Sequence, residues 1–375
     1  MGSNGLVKAR IDQMILEEDQ MDFAAYMELT DNDHKIKSAA KWRDDLLDEV
    51  KGVAMGGIGS KLPWDKNKDI FAFRPGEMTL WFGFNGGGKS LMNGNAILSQ
   101  AAQGEVCLIC SFEMKPRKTL ARMLRQWVGR KLDQITETEV DEFLDWCEGK
   151  IYVYDQTGTA EWKKIVAVCK WAADNKAVTV VTVDNLMKCV KSDEDYEGQK
   201  LFVDNLTAVA RDKNIHIHLI HHPRKQDDES KPPRKMDSRG AGAVIDLVDN
   251  VLIVWKNKPK MECRERGDLS KDTEPDALLI CDKQRNGEWE GRINLWFHYQ
   301  SQQFVESNVS PSLNFKTSFP HAQKYNHGYA AVPSWTVKAT AVQPVAGAAS
   351  NTHGHDQYTA GSVPKHQSVP NSDQW

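Results

Sequence analysis

Eight consecutive residues, Gly83-Phe84-Asn85-Gly86-Gly87-Gly88-Lys89-Ser90, satisfy the pattern G-x-x-x-x-G-K-[ST] in full. The pattern describes a grip for phosphates. Gly83, Gly86, Gly87 and Gly88 put no Cβ between backbone and ligand, so that successive N–H groups, with that of Asn85 among them, can turn toward phosphate oxygens. Lys89 adds a point charge for the β- and γ-phosphates, and the Ser90 hydroxyl is a ligand for Mg²⁺. A strand-like run, 78–82, leads into the loop and a helix-compatible stretch, 91–100, leads out of it. The helix N-terminus then adds positive partial charge where the phosphates sit. These residues predict binding of a nucleoside triphosphate, ATP or another NTP, with Mg²⁺.

Hydrolysis needs more than a cradle. The β-branched run Val178-Thr179-Val180-Val181-Thr182-Val183 ends in Asp184, which places a carboxylate at a buried strand end, where a magnesium ion would need one. Glu113 follows the apolar run 106–112 and is a candidate base for the attacking water, although pattern alone reads it equally as a loop glutamate. His222 follows the run 215–220 and is placed to hydrogen-bond a γ-phosphate. The loop after it carries Arg224, Lys225, Lys231, Arg234, Lys235 and Arg239 against Asp227, Asp228, Glu229 and Asp237. That mild excess of base suits either a solvated loop or one that meets a nucleic-acid backbone. Arg285, in Lys283-Gln284-Arg285-Asn286-Gly287, reads on pattern as a surface arginine of a hairpin turn. Its other reading is an arginine finger aimed at a neighbouring copy's γ-phosphate.

These residues need a scaffold. Strand-like runs at 79–82, 106–111, 151–154, 178–183, 215–220, 250–255, 277–281 and 292–298 alternate with helix-like segments such as 118–131, 137–148 and 161–175. Continuous apolar strands of this kind are covered on both faces, so the expected fold class is α/β, a doubly wound, mostly parallel sheet. With 40% hydrophobic and 27% charged residues, a net charge of −4 and no membrane-length apolar run, the 375-residue chain reads as soluble and globular. It is not a polycation, so any nucleic-acid contact must be a local patch. The seven cysteines sit mostly in apolar contexts and suggest buried free thiols in a reducing compartment. Cys107 and Cys110 form a lone C-x-x-C that reads as core rather than zinc site.

Four segments are expected. Residues 1–37 form an acidic arm, 38–60 a linker helix from Ser38 with a glycine-rich connector, 61–306 the catalytic domain, and 307–375 a disordered tail rich in Pro, Ala, Gly, Ser, His and Gln. The apolar positions Ala39, Trp42, Leu46, Leu47 and Val50 give the helix a stripe that its own domain or a neighbouring subunit must cover.

The order of these elements resembles the hexameric replicative helicases of superfamily 4, with their RecA-like motor domain. Cys110-Ser111-Phe112-Glu113-Met114 is similar to that family's "EM" motif. Val183-Asp184-Asn185-Leu186 and His222-Pro223-Arg224-Lys225 resemble Twinkle-like members, and Arg239-Gly240-Ala241-Gly242-Ala243 resembles phage primase-helicases. Lys283-Gln284-Arg285-Asn286-Gly287 is similar to the DnaB-like bacterial enzymes. The resemblance implies Glu113 as catalytic base, Asp184 as metal carboxylate and His222 as γ-phosphate sensor. Arg285 becomes the finger in trans with Lys283 beside it, and Arg239 a further nucleotide contact. The loop at Arg224, Lys225, Lys231, Arg234 and Lys235 becomes the grip on single-stranded DNA. It also implies a homo-hexameric ring closed by the linker helix, 5′→3′ unwinding, no membrane association, and a cytoplasmic setting in a bacterial or phage-infected cell. Primase, polymerase or a loader are the protein partners it suggests. An arm of 37 residues is too short for a primase, so priming is expected from another protein. The acidic stretch Asp193, Glu194, Asp195 and Glu197 departs from a strong DNA grip. A recombinase filament and a regulatory or loader ATPase are the rival readings.

Overall fold

The apolar runs form strands because each is buried on both sides. In the computed structural model, Met78–Phe82 (β4), Cys107–Ser111 (β5) and Val180–Asp184 (β7) contain no exposed residue. The structure describes residues 14–16, 38–54, 59–192, 194–222, 229–233 and 242–317.

All eight strand-like runs are strands. Besides β4, β5 and β7 they are Ile151–Tyr154 (β6), His216–His221 (β8), Asn250–Lys256 (β9), Ala277–Gln284 (β10) and Gly291–His298 (β11). Four short strands join them: Ile15–Leu16 (β1), Ser60–Lys61 (β2), Ala72–Phe73 (β3) and Gln303–Val305 (β12). One ten-stranded sheet has the order β1-β6-β5-β7-β8-β4-β9-β10-β11-β12, and β2 pairs with β3 apart from it. Pairing is parallel from β1 through β9. From β9 to β12 it is antiparallel.

Helices cover both faces, as a doubly wound sheet requires. They are Arg43–Ala54 (α1), Lys89–Ala102 (α2), Pro116–Val128 (α3), Glu137–Cys147 (α4), Trp162–Lys176 (α5), Tyr196–Lys213 (α6), Gly242–Leu247 (α7) and Lys258–Glu265 (α8). Local signals set several starts. Thr136 and Glu139 close a capping box on α4, Asp195 caps α6 through the Gly198 N–H, and Pro116 opens α3. On one face, Val181, Val183, Leu219 and Val251 pack with Ile165 of α5, Phe202 of α6 and Val244 of α7. On the other, α2, α3 and α4 bury Ile97, Leu124 and Phe143 against Ile109 and Val153. Cys107 belongs to the second face and Cys110 to the first, so they point away from each other and each is core. Among the described residues no cluster of metal-ligating side chains occurs, and no helix is long and apolar enough to cross a membrane.

The second face also holds a polar chain. Trp81 Nε1 donates to His218 Nδ1 (3.0 Å), His218 Nε2 meets Gln100 Oε1 (2.9 Å), and Gln100 Nε2 donates to Ser60 Oγ (2.9 Å). Because the indole must donate, His218 Nδ1 accepts and the proton sits on Nε2, leaving a neutral ring.

Two boundaries differ from the sequence reading. Residues 14–16, assigned to a weakly structured arm, add an edge strand beside β6 and bury Met14. The packed chain also runs past residue 306. Phe315 is fully buried in the α3–α4 core, the Leu313 N–H donates to Gln303 Oε1 (2.5 Å), and Lys316 lies 4.4 Å from the Trp127 ring centre. Composition marks 307–317 as tail, but a single aromatic anchor is enough to hold the segment down. Ending the chain at Ser307 should therefore lower unfolding stability by about 3–5 kcal/mol, the cost of deleting a buried phenylalanine. Ending it at Thr317 keeps these contacts. Urea denaturation of the two truncations measures the difference.

Candidate nucleotide site

Register brings the predicted site residues together. Phe82, the last residue before the phosphate loop, pairs with His221. Ser111 pairs with Asp184, and Asp184 with Ile220. The ends of β5, β7, β8 and β4 are therefore level, and in that order they deliver Glu113, Asp184, His222 and the loop from Gly83. Ligands of open α/β sheets bind beyond the carboxyl ends of the strands in this way.

The loop is tightly built. Gly83 has φ 153° and passes so close to β9 that a Cβ would lie 2.2 Å from the Val254 carbonyl oxygen. Gly88, at φ 93°, turns the chain into α2. Asn85 and Gly86 are exposed at the tip. Lys89 is only 3% exposed, and its ammonium donates to the loop's own carbonyls at Gly83 (2.6 Å) and Phe84 (2.8 Å). Burial pulls its pKa down to about 8, against the opposing pull of Asp184, Glu113 and Glu229. Asp184 is 4% exposed, and burial pushes its pKa up to about 6 while the Ser90 hydroxyl hydrogen-bonds it. Its Oδ1 has no hydrogen-bond partner. A carboxylate with a free buried oxygen, touching the one hydroxyl that P-loops use for metal, fits Mg²⁺. A desolvated ammonium at the loop mouth fits a polyphosphate.

Glu113 lies with its side chain half exposed. The Asn185 amide donates to its Oε1 at 2.6 Å, and His222 Nε2 lies 3.9 Å from the same oxygen. Burial, with lesser contributions from the charges of Lys89 and His221, pulls the His222 pKa down to about 3, so the ring is neutral at physiological pH. A small pocket of about 30 Å³ behind Asp184 is lined by Ser90, Asn93, Ser111, Thr182 and Arg122, where Thr182 Oγ1 donates to Asn93 Oδ1 (3.1 Å).

The remaining candidates lie elsewhere. Arg285 and Lys283 are at the opposite end of the sheet: Gln284 pairs with Asn250, which pairs with Thr79 near the start of β4. Lys283 Nζ donates to the carbonyls of Ile245 (2.8 Å), Asp246 (3.1 Å) and Val248 (2.7 Å) at the end of α7. Lys231 is exposed. Arg224, Lys225, Arg234, Lys235 and Arg239 lie outside the described residues.

Residues 65–306, well over half of the chain, match the DnaB-like helicase C terminal domain family. The chain belongs to that family. Among solved structures it is similar to an isolated ATPase domain, with 14% identity and a TM-score of 0.61 over 72% of this chain and 99% of that one. It is also similar to a DnaB-like replicative helicase whose structure was described with its interactions with primase, with 14% identity and a TM-score of 0.57 over 72% and 67% of the two chains. At such identities the likeness is one of fold, and it agrees with the RecA-like, doubly wound sheet expected from the sequence. A DnaB-like domain is a replicative helicase-type ATPase, and family membership brings nucleotide and Mg²⁺ use with it.

In this DnaB-like domain one site residue carried no predicted role. Asn185 orients Glu113, and the only signal for it was its place directly after Asp184. The buried imidazoles also make a solution prediction. Burial holds His216 and His221 at about 4, His222 at about 3 and His218 well below its usual value. Below pH ~6.5 the unfolded chain takes up protons that these folded rings refuse, which removes stability at up to ~1.4 kcal/mol per pH unit per ring. Asp184, raised to about 6, opposes this as one group against four between pH ~6 and its ordinary value near ~4. Denaturant unfolding should show a clear loss of stability from pH 7 to pH 5. A flat profile would contradict the neutral, buried state of the rings.

Proposed function

We propose that this chain is an ATP-driven DNA helicase working as a closed homo-hexameric ring, moving 5′→3′ on single-stranded DNA and unwinding duplex. The observation that carries this is the split between the two halves of the catalytic set. The loop, His222, Asp184 and Glu113 share one end of the sheet. Arg285 sits at the other, separated along β4 from Gly83 by four residues, or about 13 Å, and so is out of reach of its own phosphate loop. A finger placed so far from its own site has a use only in a neighbour's.

A second feature supports the ring. Trp42, Leu46, Leu47 and Val50 at and along α1 are exposed large apolar side chains, a stripe without cover in the protomer. An open groove of about 670 Å³ between α3 and α4 offers Leu120, Leu124, Phe143 and Leu144, with Lys115 and Arg117 at its edge. The helix sequence carries Asp44, Asp45, Asp48 and Glu49, opposite in sign to that edge. The α1 of one copy docked in the groove of the next would bury both apolar surfaces and repeat around a ring.

In the working site, Lys89 exchanges its two carbonyl partners for β- and γ-phosphate oxygens, and Ser90 and Asp184 hold Mg²⁺. Bound there, the metal neutralises charge on the phosphate oxygens. Asn185 and His222 fix the Glu113 carboxylate, which takes the proton of the attacking water. His222, uncharged, can hydrogen-bond the γ-phosphate and register its loss. Arg285 of the adjacent copy offsets charge building on the transferred group. The loop beginning at residue 223 leaves directly from His222, so loss of phosphate has a short path to the basic residues proposed to hold DNA, of which Lys231 is exposed.

Replacing Glu113 by Gln should leave ATP binding intact and remove hydrolysis. Turnover within about tenfold of wild type would move the base elsewhere. Arg285→Ala should bind ATP normally and lose about three orders of magnitude in turnover. Mixed with Lys89→Ala subunits under conditions of subunit exchange, it should regain activity, because some mixed interfaces pair an intact loop with an intact finger. Equal turnover by wild-type and Arg285→Ala protein would refute the shared site. Filaments rather than rings by electron microscopy with ATP and DNA would favour a recombinase.

A further inference from the structure

The turn carrying Arg285 is tied down by two buried carboxylates that frame the first residue of β4. Asp249, 3% exposed, accepts the Met78 N–H on Oδ2 (3.0 Å) and Arg285 Nη1 on Oδ1 (2.9 Å). Its backbone carbonyl accepts the Arg285 N–H (2.9 Å), and Arg211 Nη2 lies 3.6 Å from Oδ1. Arg285 Nη2 donates to the Asp246 carbonyl (3.2 Å). Glu77, 4% exposed, accepts Asn286 Nδ2 on Oε1 and Asn250 Nδ2 on Oε2, both at 2.8 Å. Gly287 completes the turn where a Cβ would collide with the Gln284 side chain at 2.2 Å.

This is more fixation than a surface hairpin needs. A hairpin arginine with no task points into water and keeps its rotamer freedom. Here the guanidinium, 41% exposed, is held by a carboxylate that cannot itself move, because that carboxylate is bonded to the sheet. A guanidinium has five N–H donors, and these two bonds use two of them. Three remain for an external anion, with the orientation already set. Preorganised donors of this kind need no reorganisation at the moment of reaction.

We propose that Asp249 is a positioning residue for Arg285, holding the guanidinium at the rim of the protomer in the orientation that meets the triphosphate bound to the next copy, with Glu77 fixing the same turn through Asn286. This rests on the reading of Arg285 as a finger in trans.

The test uses the full chain in its assembled form and a two-residue cycle: Asp249→Asn, Arg285→Ala and the double variant. Asparagine keeps an acceptor for the Met78 N–H and removes the charge that holds Arg285. Asp249→Asn should melt within a few degrees of wild type and bind ATP unchanged. Its kcat should fall about tenfold or more, with KM little altered. In the Arg285→Ala background the same change should have no further effect on kcat. A wild-type kcat for Asp249→Asn would overturn the proposal, as would the full loss repeated in the Arg285→Ala background, since either would mean that Asp249 does not act through Arg285. Wild-type turnover by Arg285→Ala would instead sink the finger reading itself, and the proposal with it. Should Asp249→Asn fail to fold, Asn286→Ala releases only the turn's other tether. A kcat loss that vanishes in the Arg285→Ala background would then support the proposal, and an unchanged kcat would overturn it.

Discussion

Two opposite charges taken out of water set the terms for this molecule. Lys89 and Asp184 are each under 5% exposed, and burial pushes both toward their neutral forms, the ammonium down to about 8 and the carboxyl up to about 6. Neither tendency helps stability. A protein keeps such groups when a ligand repays the desolvation, and a magnesium–triphosphate complex brings an anion for one and a cation for the other. Much of the fold serves to hold that pair. The β4 strand, which leads to Lys89, is hydrogen-bonded on both sides, to β8 and β9, and β7, which ends in Asp184, lies between β5 and β8. Strands so placed cannot shift along their axes without breaking ladders on both flanks. The separation of the two charges is therefore a property of the sheet rather than of the loops.

What could be read from the sequence follows from how local each signal is. The phosphate loop is a local pattern. The buried strands are also local, because being covered on both faces writes a continuous apolar run, as at Val178–Val183. The short strands β1, β2, β3 and β12 have two or three residues each, too few to show a period. Residues 307–317 looked like tail because composition averages over a window, whereas Phe315 acts alone. The residues that orient the site were the hardest to see. Asn185 meets Glu113 across 72 positions of sequence, Asp249 meets Arg285 across 36, and Glu77 meets Asn286 across 209. Such partners become neighbours only when the strands pair. Single polar residues of this sort carry no pattern before the fold exists.

The antiparallel edge explains why the catalytic set is divided. Parallel strands joined by helices all end on the same side, so a sheet that stayed parallel beyond β9 would have delivered every strand end, the finger included, to the side of the phosphate loop. Instead β10 runs back against β9, with a bulge between Cys281 and Lys283, and stops beside Asn250. Its last residues therefore emerge where β4 begins. Glu77 and Asp249 are waiting there, placed by the approach to β4 and by the short segment that joins α7 to β9. Lys283 closes the same corner from the other side by binding the last carbonyls of α7, where a helix end presents negative partial charge. One reversal of strand direction thus puts the phosphate grip and the cation on opposite rims of the protomer. In a ring of identical copies, opposite rims meet at every interface, and the division of the site becomes the reason for the assembly.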